Sequence, residues 1–438
     1  MTEGSRKKIL IVIFTINKIK LMQAKTFLCL SGILVSFYAA GCNNNVSAST
    51  ETAETVINVD TTKFPPVETR NANADYSPAF KGQTRIAGVK TTTAYKVDKI
   101  AEKIGRPWAV IPMPDGKLLI TEKKGFMLIH NADGTFAKKI TGFPEVDAGG
   151  QGGLLDVALD PDFSKNKMIY WSFSEKYGKG NLMAVAKGRL NEDASKVENP
   201  VVIFRATPAL SSSLHFGSRL IFDKDGNLFV GTGERSVSEG RPQAQLLNSG
   251  LGKIFKITKE GKAAPGNPFL KDANAMPEIY AYGIRNAQSL DIHPVTGELW
   301  EAEFGPRGGD ELNIIKAGKN YGWPVITYGL EYSGQKIGAA IQQKAGMEQP
   351  VYYWDPVLSP SGMVFYKGNT IPEWKNNLFI CGLNSIHIAR LVIVNNKVVG
   401  EEKLLEDKKE RFRDVAYNNG MLYTVTDDGN LYRISKKL

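Results

Sequence analysis

The chain has 438 residues, 42% of them hydrophobic, with 43 glycines and 21 prolines, which suits many short strands joined by tight turns and is too apolar for a disordered chain. Its formal charge of +10 is partly a leader effect, because Arg6, Lys7, Lys8, Lys18, Lys20 and Lys25 face only Glu3 before residue 42. The remaining charges are scattered, with no basic helix and no run of cations between aromatics, which argues against a nucleic-acid partner.

Residues 27–41 (FLCLSGILVSFYAAG) form an apolar run of signal-peptide length, preceded by Lys25, ending in small residues and followed by Cys42. The arrangement resembles a bacterial lipoprotein signal. It predicts removal of residues 1–41, a lipid anchor on Cys42, a flexible tether over 42–91 and an exported, periplasmic, membrane-attached protein. An uncleaved anchor stays open as an alternative, and the apolar patch at 9–15 is surplus to a signal starting at Met22. The three cysteines, Cys29, Cys42 and Cys381, have the spacing of neither a disulfide framework nor a tetrahedral metal site.

From residue 92 to 438 a turn dipeptide followed by an apolar strand recurs: DGKLLIT at 115–121, NKMIYWSFS at 166–174, DGNLFVGTG at 225–233, TGELWEAEFG at 296–305, NNLFICG at 376–382 and NGMLYTVT at 419–426. Six units at a spacing of roughly 55 residues predict an all-β, six-bladed propeller with four-stranded antiparallel blades. No Gly-x-Gly-x-x-Gly opens a helix, so a Rossmann cofactor site is not expected.

Four segments are richer in glycine, polar and aromatic residues than strand building requires. In DAGGQGGLLDVALDPDF (147–163) glycines flank Gln151 and let the backbone approach a ligand. In SLHFGSRL (213–220) His215 precedes Gly217 and Arg219, whereas His130 and His293 lie in turns and His387 on a strand. A neutral imidazole with a reference pKa of about 6.5 is the natural base at physiological pH. In YGIRN (282–286) Arg285 and Asn286 offer a fork of donors and an amide. GPRGGDELN (305–313) exposes the Gly305 and Pro306 carbonyls beside Asp310 and Glu311, a set that fits a hard cation such as calcium, although a salt-bridged loop would also explain it. In ERFRDV (410–415) Arg411 and Arg413 alternate on a presumed strand, two cations on one face with no paired acids beside them, which invites an anionic ligand, although a solvated edge strand would also explain it.

In this order, GGQGGLLDV, LHFGSRL, YGIRN, GPRGGDELN, KNYGWP and RFRDV resemble the soluble glucose/sorbosone dehydrogenases, nearest to the periplasmic aldose sugar dehydrogenases that use pyrroloquinoline quinone, over residues 95–435. The resemblance implies a six-bladed propeller that oxidises the anomeric hydroxyl of an aldose sugar to the lactone, with an unidentified electron acceptor downstream. It implies that His215 is the general base, assisted by Arg285. Gln151, Asp156, Arg285, Asn286, Tyr332, Asn384, Arg411 and Arg413 would surround the quinone. It further implies one Ca2+ on the Gly305 and Pro306 carbonyls and a second near Glu311 and the carbonyl of Tyr321.

The chain departs from the family pattern at four places: Asn384 replaces a lysine, Ser218 a glycine, Ala287 a proline and Glu234 an aspartate. Asn384 removes a positive charge from the expected pocket. The alternatives are a calcium-dependent lactonase, which would need carboxylates and Asn converging in the channel, and a non-enzymatic propeller that binds a glycan or protein.

Overall fold

A computed structural model of the chain describes residues 64–438. The expected signal, Cys29, the Cys42 anchor and the first part of the tether lie outside the described residues. Six antiparallel sheets follow one another along the chain. The first blade comprises Pro107–Pro112, Leu118–Glu122, Phe126–His130 and Phe136–Ile140, and the second Leu154–Leu159, Met168–Tyr177, Gly180–Leu190 and Val197–Arg205. The third comprises Gly217–Phe222, Leu228–Thr232, Lys253–Ile257 and Ile279–Tyr282, and the fourth Ala287–Ile292, Leu299–Glu303, Asp310–Ile315 and Tyr352–Trp354. The fifth contains Pro360–Phe365, Leu378–Gly382, Ile388–Val394 and Lys397–Leu404. In the sixth, Phe412–Asn418, Met421–Thr426 and Leu431–Lys436 take their outer strand, Tyr95–Ala101, from the start of the domain.

That last pairing closes the ring, so the blade that would expose an edge is completed by a strand more than 300 residues away in sequence. Each of the six turn-and-strand repeats lands on the second strand of its blade. The Asp-Gly and Asn-Gly turns supply the left-handed backbone, as at Gly226 (φ 77°) and Gly420 (φ 80°), and the next residues run apolar because they are covered on both faces. The core lies between neighbouring blades, with Trp171, Trp300 and Trp374 wholly buried. One apolar cluster joins the first three blades and others join the third to the fourth, the fourth to the fifth, the fifth to the sixth and the sixth to the first.

The described part of the expected tether is not loose. Phe64–Pro66 pairs with Ala87–Gly88, and Gly88 pairs with Glu401 on the outer strand of the fifth blade. Gln83 is fully buried, donating through Nε2 to the Pro350 carbonyl (2.9 Å) and accepting through its own carbonyl from Tyr353 N–H (2.9 Å). Residues 64–91 are therefore a strap held by polar contacts, which carry no periodic signature in sequence.

Candidate active site

In an antiparallel blade the start of the first strand and the end of the second lie at the same end. Trp108, Gln151, His215, Gln288, Ser359 and Arg413 lie at or just before the starts of first strands. Lys123, Glu234, Phe304, Asn384 and Asp427 lie just beyond the ends of second strands. Apart from Glu234, all of these line one cavity of about 1000 Å³, which is at the upper end for small-molecule sites.

His215 is buried in the cavity wall and adopts φ 47°, an uncommon conformation for a non-glycine residue and a mark of local constraint. Its backbone N–H donates to Gln151 Oε1 (2.8 Å), which ties the glycine-rich loop to the histidine. Its Nδ1 lies 2.6 Å from Glu234 Oε1, and that oxygen also accepts the Ser236 N–H (3.1 Å). A carboxylate oxygen only accepts, so Nδ1 carries the hydrogen and Nε2 is left with a lone pair and no partner among the described residues. Burial, reinforced by the nearby Arg285 charge, pushes the imidazole down to about 4 against the opposing pull of Glu234. The ring is therefore neutral at pH 7. The other three histidines make local contacts: His130 Nδ1 meets the Gly134 carbonyl (2.9 Å), His387 Nδ1 the Ser385 carbonyl (3.0 Å), and His293 Nδ1 accepts the Thr296 N–H (3.1 Å).

Several expected site residues act from behind the wall. Asp156 does not reach the cavity: its carboxylate accepts Leu220 N–H (2.7 Å) and Arg219 Nη1 (3.2 Å), and Arg219 Nη1 also donates to Asp414 (3.1 Å). Burial raises Asp156 to about 6 despite Arg219. Arg219 sits 4.4 Å from the ring of Trp108, a cavity-lining residue, so this charged cluster backs the wall from behind. Asn286 is also buried and spends Oδ1 on Gly217 N–H (2.9 Å), which fixes the turn after His215. Arg285 Nη1 donates to the carbonyls of Phe304 (3.0 Å) and Gly305 (2.7 Å) from behind, and its guanidinium sits 5.0 Å from the Trp323 ring.

Gln151, Gly305, Pro306, Tyr332, Asn384, Arg411 and Arg413 do line the cavity, and Tyr332 is 71% exposed at its mouth. The arginine pair is not without an acid. Asp427, across a hairpin, accepts from Arg411 Nε (2.9 Å) and from Arg413 Nε (2.7 Å). Burial would raise the Asp427 carboxyl, but the two guanidinia hold it below its ordinary value. Asp310, expected beside the cation, is instead consumed by the backbone N–H groups of Gly305, Leu358 and Ser359, each at 2.7 Å. Glu311 and Tyr321 share a separate hollow of about 10 Å³ with Glu303 and Arg285. Among the described residues, no three His, Cys, Asp or Glu side chains converge as a metal cage, so a cation here would depend on carbonyls, water and ligand oxygens.

Sequence reasoning missed Arg106, Trp108, Lys123, Arg70 and Asn73, all on the cavity wall. Lys123 stands at the end of a repeat strand in a Glu-Lys-Lys run that reads as ordinary surface charge. Burial, with Arg106 and Arg413 nearby, lowers its pKa.

Residues 104–433 match the glucose/sorbosone dehydrogenase family model. The chain belongs to this family. The aldose sugar dehydrogenase YliI of Escherichia coli is 42% identical over 347 residues, covering 78% of this chain and 93% of that protein. The solved apo-form of the soluble E. coli aldose sugar dehydrogenase superposes with a TM-score of 0.75 at 40% identity, covering 78% of this chain and all of that one. The solved PQQ-bound form of an aldose sugar dehydrogenase from Streptomyces coelicolor gives 0.64 at 27% identity, covering 79% and 99% of the two chains. The chain is thus a family sugar dehydrogenase on a six-bladed propeller, and its family match begins after the strap.

Proposed function

We propose that the protein oxidises the anomeric hydroxyl of an aldose to the lactone, with pyrroloquinoline quinone as oxidant, calcium as its electrophilic partner and His215 as general base. The observation that carries this reading is the His215–Glu234 pair, which leaves a neutral Nε2 without a partner among the described residues on the wall of the large cavity. The cavity composition fits the cofactor. A planar tricarboxylate needs cations around a polar, roomy site, and Arg106, Lys123, Arg411 and Arg413 supply them in excess of the wall's Asp427, which pairs with both Arg411 and Arg413, and Asp428, with Lys123 offsetting the charge absent at Asn384. The quinone supplies a two-electron acceptor for the hydride leaving the anomeric carbon.

The residues perform the proton half of the reaction. The anomeric O–H proton passes to Nε2 of His215, and the oxygen lone pair forms the lactone C=O as the C–H pair departs. The resulting imidazolium is stabilised by Glu234, already aligned on Nδ1. Gln151 and Asn286 hold the backbone on either side of His215, keeping the ring edge toward the cavity. Gly305 and Pro306 line the cavity on a loop braced by Asp310, and calcium would sit on their carbonyls, the Gly305 oxygen being shared with the hydrogen bond from Arg285 Nη1; Glu311 and the Tyr321 carbonyl would hold the second ion.

The test is to reconstitute the protein with quinone and Ca2+, follow quinone absorbance, and assay a panel of aldoses with an artificial acceptor. Sugar-dependent dye reduction is expected; lactone hydrolysis without dye reduction would replace the reading with a lactonase. Export with a lipid on Cys42 belongs to the same reading and is checked by the mass of the mature N-terminus.

A further inference from the structure

The cavity has one wall that no blade supplies. Arg70 and Asn73, in the strap ahead of the family match, line it beside Pro306, Gly308 and Tyr332. The strap is rigidly placed there. Asp355, at the end of the fourth blade, accepts the backbone N–H groups of Asn73 (2.8 Å) and Ala74 (3.0 Å), and its carbonyl accepts from Arg85 Nη2 (2.6 Å). The same carboxylate packs where a side chain at Gly308 (φ 76°) would stand, with Asn73 Nδ2 next to it, so the strap abuts the loop that carries Gly305 and Pro306.

These anchors use the backbone of Asn73 and leave its carboxamide without a hydrogen bond among the described residues. Arg70 gives Nε (3.0 Å) and Nη2 (2.7 Å) to the Glu68 carboxylate, leaving Nη1 uncommitted among the described residues. Against the cost of partial burial, Arg70 holds Glu68 down to about 2, so the pair stays ionised with no net charge. An uncommitted N–H face on a neutralised guanidinium, an uncommitted amide and an exposed aromatic ring suit the hydroxyls and C–H face of an uncharged sugar, not an anion.

On the sugar-oxidation reading above, we infer that Arg70 and Asn73 are specificity-determining residues that hydrogen-bond hydroxyls of an uncharged aldose other than the one His215 deprotonates. The experiment uses the whole protein and its Arg70→Ala, Asn73→Ala and Glu68→Gln variants. Steady-state kinetics on the quinone-loaded forms and calorimetry on the apo-forms are run with glucose, maltose and glucuronate. R70A and N73A should raise KM and the calorimetric Kd for glucose or maltose about tenfold, with kcat and quinone titration within twofold of wild type. E68Q, which uncovers the Arg70 charge, should improve glucuronate relative to glucose by at least fivefold.

Unchanged KM and Kd in R70A and N73A, in a protein that does oxidise sugars, would overturn the inference and leave the function standing. Sugar binding weakened by these variants without any turnover would do the reverse. A loss confined to glucuronate would overturn the uncharged-sugar assignment, and weakened quinone binding would make the strap a cofactor wall instead.

Discussion

Replacing Glu234 by Gln separates two roles of the carboxylate. Oε1 receives both Nδ1–H of His215 at 2.6 Å and Ser236 N–H, whereas Oε2 is buried with no partner among the described residues. Because Ser236 N–H can only donate, the glutamine oxygen should take the Oε1 position, so the tautomer with a free Nε2 survives. What disappears is the charge facing the imidazolium. A hydrogen bond to a charged group is worth about 1.5–3 kcal/mol, so kcat should fall about ten- to a hundredfold. Glu234→Leu, which also releases the tautomer, should approach the full general-base contribution of about a hundred- to ten-thousandfold. In both variants quinone affinity should be unchanged, because Glu234 does not line the cavity. Dye reduction at saturating quinone and sugar measures the first effect and absorbance titration the second. An E234Q enzyme within threefold of wild type, or E234L no worse than E234Q, would refute the orienting-carboxylate argument.

The neutral His215 makes kcat/KM climb as pH rises through about 4 and level off above it, and E234Q should move that limb lower still because the partner that raises the histidine is gone; a limb near 6.5 in stopped-flow assays would contradict the buried, unprotonated ring. His387, also pushed by burial to about 4, binds its proton more weakly when folded than unfolded. Its share of stability is therefore complete above about 6.5 and lost as pH falls toward 4, by at most about 3 kcal/mol, and H387Q should flatten the pH dependence of the urea midpoint over that window. Ser218 stands at φ 104° with a buried hydroxyl that has no partner among the described residues, so Ser218→Gly should stabilise the protein by about 1 kcal/mol, raising the calorimetric midpoint by about a degree. Asn384→Lys should tighten quinone binding in absorbance titrations by adding a cation to the cavity wall, and an unchanged affinity would mean that Lys123 and Arg106 already meet the need.

The fold was legible because each blade announces its second strand: a turn residue that tolerates positive φ, then an apolar run covered on both sides. The closing strand Tyr95–Ala101 was not, since its alternation is weak and its partner lies at the other end of the chain. His215 stood out by its rarity and its glycine- and arginine-rich setting. Whether a neighbour touches the ligand or props another residue was beyond local pattern. Asp156 and Asn286 read as contacts, yet one meets Arg219 across 63 residues and the other Gly217 across 69. Asp427 escaped notice for the same reason, because a hairpin brings it between two arginines that looked unpaired.

The geometry also locates where selectivity can change without disturbing the fold. Much of the cavity wall comes from strand ends backed by blade-to-blade joints: Arg219, behind Trp108, links the inner strands of the second, third, fourth and sixth blades through Asp156, the Gln288 carbonyl and Asp414. Altering such a residue perturbs ring closure as well as the wall it backs, since an uncompensated buried charge costs several kcal/mol. The strap is attached at the outer edge of the fifth blade and at Asp355, so its wall-facing side chains carry no inter-blade contact. Substitutions at Arg70 or Asn73 can therefore alter which sugar is held while leaving His215, Glu234 and the cationic wall in place, which is why binding measurements on these variants discriminate recognition from chemistry.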